Sequence, residues 1–264
     1  VALAAALRAD VCEIYTDVDG VFTADPRILP AARKLDVVSS EEMLDLAANG
    51  SKILHLRCVE YARRYGIPIH VRSSWSSHEG TWIKDNAYEG EGVEAPIITG
   101  IAHDKSEAKI TIVGVPDVVG VAAAIFGAVA EAGINIDMIV QNVSASATGL
   151  TDISFTLPTS DGPAGLRALQ QIQGELGLGA ILYDESVGKI SMVGAGMRSH
   201  PGVSARFFKA LAEAGINIEM ISTSEIRISA ITREDQLEDA VRAVHTAFGL
   251  DSAEEAIVYG GTGR

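Results

Sequence analysis

Two sets of residues in this chain carry the groups that a small charged molecule needs. The first is Tyr15-Thr-Asp-Val-Asp-Gly-Val-Phe-Thr-Ala-Asp-Pro-Arg27, with Gly50-Ser-Lys-Ile53 downstream. It offers carboxylates, hydroxyls and two cations, Arg27 and Lys52. Lys52 is able to reach a phosphate, and a loop at the carboxyl end of a strand is where an open α/β sheet holds a ligand. The same residues serve equally well as a solvated turn whose Asp side chains cap amides, with Lys52 a surface lysine. The second set occurs twice. Asp117-Val-Val-Gly120-Val121 and Ser199-His-Pro-Gly202-Val-Ser204 each place a glycine turn at a helix start, where unpaired amides and the helix dipole suit a carboxylate. Asn135, Asp137 and Asn217 stand across from these turns, and Asp117 and Asp137 are able to hold an ammonium. A carboxylate pocket beside such an acid describes a site for a free amino acid. The alternative is that Gly, Asn and Asp merely build the turns. His55 and His70 have no third ligand or nucleophile beside them. The repeated region holds no Ser-His-Asp order, HExxH, CxxC or GxGxxG.

The elements that must position these groups are written in an internal repeat. Glu131-Ala-Gly-Ile-Asn-Ile-Asp-Met-Ile139 returns as Glu213-Ala-Gly-Ile-Asn-Ile-Glu-Met-Ile221, 82 positions on. Gly120-Val121 and Phe126 align with Gly202-Val203 and Phe208. Each copy predicts a strand (Ala108–Val115; Gly188–Ala195), a glycine turn and a helix (Val121–Ala132; Val203–Ala214). Gly133 and Gly215 follow as left-handed C-terminal residues, and Ile-Asn-Ile starts the next strand. A further strand (Thr151–Leu157; Ile226–Ile231) and helix (Pro163–Leu176; Glu234–Phe248) complete a small ferredoxin-like unit, two in tandem. Tyr183-Asp-Glu-Ser186 joins them. Strands at Pro96–Ile101 and Ala256–Tyr259 lie outside the repeat and are candidates to cross-pair between the modules.

Upstream, Val1–Asp10 reads as the last two turns of a helix whose beginning is absent, followed by a strand at Val11–Tyr15. Ser39-Ser-Glu-Glu42 signals a capped helix start. Gly50-Ser-Lys-Ile53 leads into another helix, with Lys52 in its first turn, and Ile67–Val71 is a strand after Gly66. The expected division is 1–92 for the first region, 93–186 for the first module and 187–264 for the second, with Asp85–Glu94 as a linker.

Composition narrows the partners. The 264 residues carry a formal charge of −14, which disfavours a nucleic-acid backbone. Cys12 and Cys58 have no metal spacing and fit a reducing cytoplasm, and no segment has the length or flanks of a membrane span. With 5% aromatic residues, the cores must be built from Ile, Val, Leu and Ala.

The repeat resembles paired ACT domains, small regulatory modules that bind amino acids. Val113-Gly114, Gly120, the run Glu131–Ser144 and Ser222-Thr-Ser-Glu-Ile-Arg-Ile-Ser229 look specifically like the C-terminal half of aspartate kinases, closest to the actinobacterial type inhibited in concert by lysine and threonine. The run Tyr15–Arg27, Gly50-Ser-Lys-Ile53 and Ile67-Pro-Ile-His-Val-Arg72 match that family's nucleotide-binding segment, so the likeness covers essentially the whole chain. It implies an α/β fold, the C-terminal part of an amino-acid-kinase sandwich followed by two ferredoxin-like (βαββαβ) ACT modules. It also implies ATP-dependent phosphorylation of L-aspartate to 4-phospho-L-aspartate, the first step toward lysine, threonine and methionine. ATP contacts would fall on Thr16, Asp17, Phe22, Thr23, Ala24, Asp25, Pro26, Arg27 and Lys52, with Mg2+ accompanying ATP but no ligand set assigned. Phe22 stands where the family often has Tyr. L-threonine and L-lysine contacts would fall on Asp117, Gly120, Ala122, Asn135, Ile136, Asp137, Gln141, Val203, Ser204, Asn217, Ile218, Ser224 and Glu225. The partners expected are these small molecules, with no nucleic acid or membrane, in a homodimer through the ACT modules or an α2β2 assembly. The family's N-terminal phosphate loop and aspartate site have no counterpart in these residues, so no catalytic residue is assigned and this polypeptide alone is expected to be inactive. A non-catalytic regulatory subunit is the alternative.

Overall fold

The computed structural model describes residues 1–88, 96–142 and 148–259. Part of the expected linker, Val143, Ser144 and most of the turn after them, and the Gly-rich tail lie outside the described residues. The first region runs α1 (Ala2–Leu7), β1 (Cys12–Thr16), β2 (Val37–Ser39), α2 (Ser40–Ala48), α3 (Leu56–Tyr65), β3 (Ile69–Ser73) and β4 (Thr81–Lys84). Its sheet has the order β1-β3-β4-β2, with β1 parallel to β3. β3 is buried on both faces, and Val38, Met43, Leu46, Val59, Ile69, Val71 and Ile83 form the core beneath it.

Next come β5 (Gly100–Asp104), β6 (Glu107–Pro116), α4 (Val121–Glu131), β7 (Ile139–Asn142), β8 (Leu150–Pro158), α5 (Gly162–Leu176) and β9 (Ile181–Asp184). The chain closes with β10 (Val187–Val193), α6 (Val203–Glu213), β11 (Met220–Thr223), β12 (Arg227–Arg233) and α7 (Leu237–Ala247). Two four-stranded sheets result, β7-β8-β6-β9 and β11-β12-β10-β5. The two orders correspond strand for strand, which makes each unit ferredoxin-like.

They differ in the source of one edge. β9 follows α5 and pairs antiparallel with β6, whereas β5, from ahead of the first module, pairs antiparallel with β10 in the second. The first module is therefore threaded between two strands of the second module's sheet. The first half of the Tyr183–Ser186 joint, Tyr183 and Asp184, is the end of strand β9. The strand expected at Pro96–Ile101 runs from Gly100 to Asp104, with the Thr99 amide just ahead of it already donating to the Val193 carbonyl of β10 at 2.8 Å.

Three further expectations need correction. Ala256–Tyr259 joins neither module. It makes a single antiparallel bridge, Val258 to Val18, and the Tyr259 amide donates to the Asp17 carbonyl, so the segment is spent on the first region. Residues 134–137 are not a strand: the chain leaving Gly133 (φ 75°) crosses before pairing begins at Ile139. The Asp137 amide still donates to the Thr156 carbonyl at 3.0 Å, as Glu219 does to Ile231 at 2.8 Å. Lys52 is not in a helical turn, because α3 starts at Leu56 with His55 as its cap, the His55 Nδ1 accepting from the Arg57 amide. Its charge therefore adds nothing to that helix's dipole. α4 and α6 do begin at the expected glycine turns, each on a left-handed residue, Gly120 (φ 100°) and Gly202 (φ 93°), with no capping side chain.

The modules meet at a seam with its own small core of Met138, Val187, Met220 and Ile231. Met138 and Met220 are repeat equivalents, and so are the charged groups around them. Lys109 of β6 pairs with Glu219 of the second module, and Lys189 of β10 pairs with Asp137 of the first.

Candidate functional sites

A cleft of about 480 Å³ opens where β1 ends. Thr16 and Asp17 leave the strand into it, and Phe22, Ala24, Asp25, Pro26 and Arg27 come from the following loop. Gly50, Ser51 and Lys52 arrive from the turn after α2. Eight of the nine residues expected to touch nucleotide thus line one cavity, although they come from segments far apart in the chain. Arg27 is oriented at the rim by Asp17 at 2.9 Å and Asp25 at 3.8 Å. The Asp25 side chain also accepts from the Arg27 amide, the reason this Asp-Pro-Arg turn closes on itself.

Thr23 is the exception. It is 1% exposed, and its hydroxyl lies 2.8 Å from His245 Nε2 while accepting from the Arg33 amide at 2.9 Å. His245 Nδ1 stands 2.9 Å from Asp251. A carboxylate only accepts, so Nδ1 carries the proton and Nε2 accepts from Thr23. Threonine, histidine and aspartate in this order imitate a nucleophile relay, but the buried hydroxyl has no room for a substrate. The chain is a structural tie between the loop and α7. Burial holds His245 below the ordinary imidazole value despite Asp251.

Three lining residues come from β5, namely Ile101, Ala102 and His103. The sequence offered no signal for them, since a strand preceding a repeat carries no ligand motif. The Ile101 amide donates to the Thr23 carbonyl at 2.7 Å, fixing the strand against the loop. His103 is nearly buried and is held below its ordinary value by desolvation, with Lys52 and Lys105 adding to the effect and Asp25 and Asp104 opposing it. His70 is buried, stacked on Trp82 at 4.0 Å between ring centroids.

A second, more open cavity of about 440 Å³ lies at the start of α6. Val203 and Ser204 meet Ser224 and Glu225 there, and Met197, His200 and Gly202 complete the wall. Asn217 and Ile218 lie elsewhere: the Asn217 carbonyl accepts from Thr232, and Ile218 packs on the module core. In the first module, Asp117, Gly120 and Gln141 are exposed at the matching edge, with Asn135 nearby in sequence and Ala122 and Ile136 packed on the core. Asp137 is engaged by Lys189 at 2.5 Å. Among the described residues no group of three or more His, Cys, Asp or Glu is placed to hold a metal ion, and no helix is long and apolar enough to cross a membrane.

Comparison with known proteins agrees with this layout. Residues 1–73 match the amino acid kinase family, and residues 110–173 and 190–248 match the ACT domain. The chain is 61% identical to an aspartokinase of Mycolicibacterium smegmatis over all 264 residues and spans 62% of that relative's length. It is 51% identical to a chain from a crystal structure of aspartokinase alpha and beta subunits, with TM-score 0.54, covering 58% of this chain and 99% of that one. Escherichia coli aspartokinase III aligns in its complex with aspartate and ADP at 26% identity and TM-score 0.78, over 93% of this chain and 54% of that one. Its complex with lysine and aspartate aligns at 27% identity and TM-score 0.69, over 93% and 53%. An amino-acid-kinase segment, two ACT modules and this degree of identity over its whole length together mean that the chain belongs to the aspartokinase family.

Proposed function

We propose that this chain is the nucleotide-binding and regulatory part of an aspartate kinase that transfers the γ-phosphoryl group of ATP to the side-chain carboxylate of L-aspartate. The observation that carries the reading is the convergence of Thr16, Asp17, Phe22, Ala24–Arg27 and Lys52 on one cleft. Phosphoryl transfer asks a protein mainly to hold the phosphates and neutralise their charge. Lys52 and Arg27 are suited to that task, and Phe22 and Ala24 offer an apolar surface for a base. Arg27 would exchange part of its contact with Asp17 for phosphate oxygens. ATP would arrive with Mg2+, which would supply positive charge against the phosphates; no group of three or more His, Cys, Asp or Glu among the described residues could hold it, and no protein ligand is assigned. The catalytic step, the aspartate pocket and the inactivity of this polypeptide alone belong to the same proposal, as do the division at residues 92 and 186 and a cytoplasmic location.

The cavity at Val203, Ser204, Ser224 and Glu225, and the equivalent edge at Asp117, Gly120 and Gln141, would receive L-threonine or L-lysine. The amide-rich starts of α6 and α4 suit the carboxylate. Assembly through these edges, as a homodimer or with a second subunit type, would close the open side. A purely regulatory subunit is disfavoured by the kinase-family match over residues 1–73.

Calorimetry on this chain tests the proposal. ADP is expected to bind, and Lys52→Ala to weaken it about tenfold, about 1.4 kcal/mol. L-threonine is expected to bind independently of Lys52. Absence of ADP heat, or an unchanged affinity in Lys52→Ala, removes the nucleotide assignment.

A further inference from the structure

We propose that Asn49 is a positioning residue, the joint through which the sheet of the second ACT module sets the Gly50–Lys52 turn in the cleft. Its consequence for nucleotide rests on the reading of that cleft given above. Asn49 is fully buried at the end of α2, and its side-chain amide is used at both ends. Nδ2 donates to the Asp45 carbonyl at 2.7 Å, and Oδ1 accepts from Ser191 Oγ at 3.1 Å and from Arg227 Nη1 at 2.9 Å. Ser191 lies on β10 and Arg227 opens β12, so one side chain stitches a helix of the kinase segment to two strands of the regulatory sheet.

The next residue transmits that placement. Gly50 has φ 107°, and a Cβ there would sit 2.0 Å from the His103 carbonyl oxygen. Only glycine fits so close to β5, and the turn therefore has no freedom to drift away from it. Ser51 and Lys52 follow into the cleft, while Leu46, one turn earlier on α2, lines it from the other side. The far end of the link is equally local. The Arg227 carbonyl accepts from the Ser224 amide at 2.8 Å, and Ser224 and Ile228 line the second cavity.

At the opposite end of α2, buried Glu42 makes a parallel connection. Its Oε1 accepts from the Ala195 amide at 3.1 Å and from Thr99 at 2.5 Å, and Ala195 begins the segment leading to Met197 and His200 of that cavity. α2 is thus held at both termini by the second module, and Asn49 is the end that touches the cationic turn.

The test uses this chain with two readouts, the backbone amide NMR resonances of Gly50–Lys52 and ADP affinity by calorimetry. Ser191→Ala removes one hydroxyl and Arg227→Gln one cation, neither residue lining the cleft, and Asn49→Asp keeps the side-chain shape. Each is expected to shift the Gly50, Ser51 and Lys52 resonances while leaving those of Ala24, Asp25 and Arg27 in place. Each is expected to weaken ADP about fivefold, the effect of about one hydrogen bond. A merely stabilising role would lower the unfolding midpoint without moving these resonances. Unmoved resonances in Ser191→Ala and Arg227→Gln overturn the proposal, as does an unchanged ADP affinity beside moved resonances. Should the unaltered chain show no ADP heat, the nucleotide reading falls, and the resonances alone decide whether Asn49 sets the turn.

Discussion

The two ACT modules share a sheet order and a nine-residue signature, yet they are wired differently. The first completes its sheet with its own β9; the second takes β5, whose residues also wall the cleft. The second is tied to the kinase segment by Glu42, by Asn49 and by the Thr23–His245 contact. The first joins the second at the seam. The comparison teaches that equal repeats become unequal by where the chain enters them. The module whose edge is borrowed is the one placed to influence the cleft.

The seam gives the sharpest measure of that inequality. Lys109 and Lys189 occupy equivalent strand positions, and each reaches across to the other module's acid. Lys189 is 1% exposed and is shared by Asp137 and by Glu107 at 2.8 Å, whereas the Lys109 and Glu219 side chains are 18% and 17% exposed. Burial alone would lower the Lys189 pKa, but Glu107 and Asp137 outweigh it and hold it above the ordinary lysine value. Lys189→Ala would leave the nearly buried Glu107 carboxylate without its cation and facing the half-buried Asp137, at a cost of about 3 kcal/mol in urea unfolding. Lys109→Ala should cost about 1 kcal/mol, because Glu219 keeps Arg233 at 3.5 Å. Equal losses would mean that the seam is symmetric in energy as well as in sequence.

Glu42 tests the tie to the kinase segment. Burial pushes its carboxyl up, but hydrogen bonds from Ser39, Thr99, Tyr88 and the Ala195 amide outweigh this and hold it below the ordinary value of 4.5. Glu42→Gln should cost about 1–3 kcal/mol near neutral pH, since an amide NH2 would face groups that donate. A lowered folded pKa fixes the sign: the contribution is complete above 4.5 and is lost as pH falls through the folded value. The urea midpoints of the two proteins should therefore converge on acidification. A gap that stays constant with pH would show that Glu42 is not ionised in the fold.

Much of this was legible in the residues. Gly120, Gly133, Gly202 and Gly215 announced their positive φ angles, and the repeat announced two like sheets. The capping box at Ser39 and Glu42 was readable as a helix start, because a local hydrogen bond needs only local spacing. Its second use, Glu42 binding Ala195 across 153 residues, was not readable, since nothing in the order of residues records a long-range contact. Asn49 gave no signal for the same reason. Thr23 was misleading in a different way. It sits inside a ligand-type loop, but alternation along that loop turns it inward to His245. Edge exchange was readable only as a choice between two strands outside the repeat: the one ahead of it pairs with β10 as β5, whereas Val258 bridges Val18 in the first region.

Asp137 and Glu219 allow the comparison to be narrowed to one pair of side chains. They are the single difference within the repeated signature, and each accepts from the other module's lysine. In Asp137→Asn the Lys189 ammonium still has Glu107, so the cost should be about 1 kcal/mol. In Glu219→Gln, Lys109 loses its carboxylate partner and Arg233 keeps Asp184 at 2.6 Å, for a similar small loss. Their effects on threonine binding should part. The Asp137 side chain is 37% exposed and able to share its charge with an incoming ammonium, while that of Glu219 is 17% exposed and held by Lys109 and Arg233. Calorimetry should show threonine weakened in Asp137→Asn and little changed in Glu219→Gln. The reverse order would assign the acid of the effector site to the second module, and the module placed nearest the cleft would then also be the one that senses the ligand.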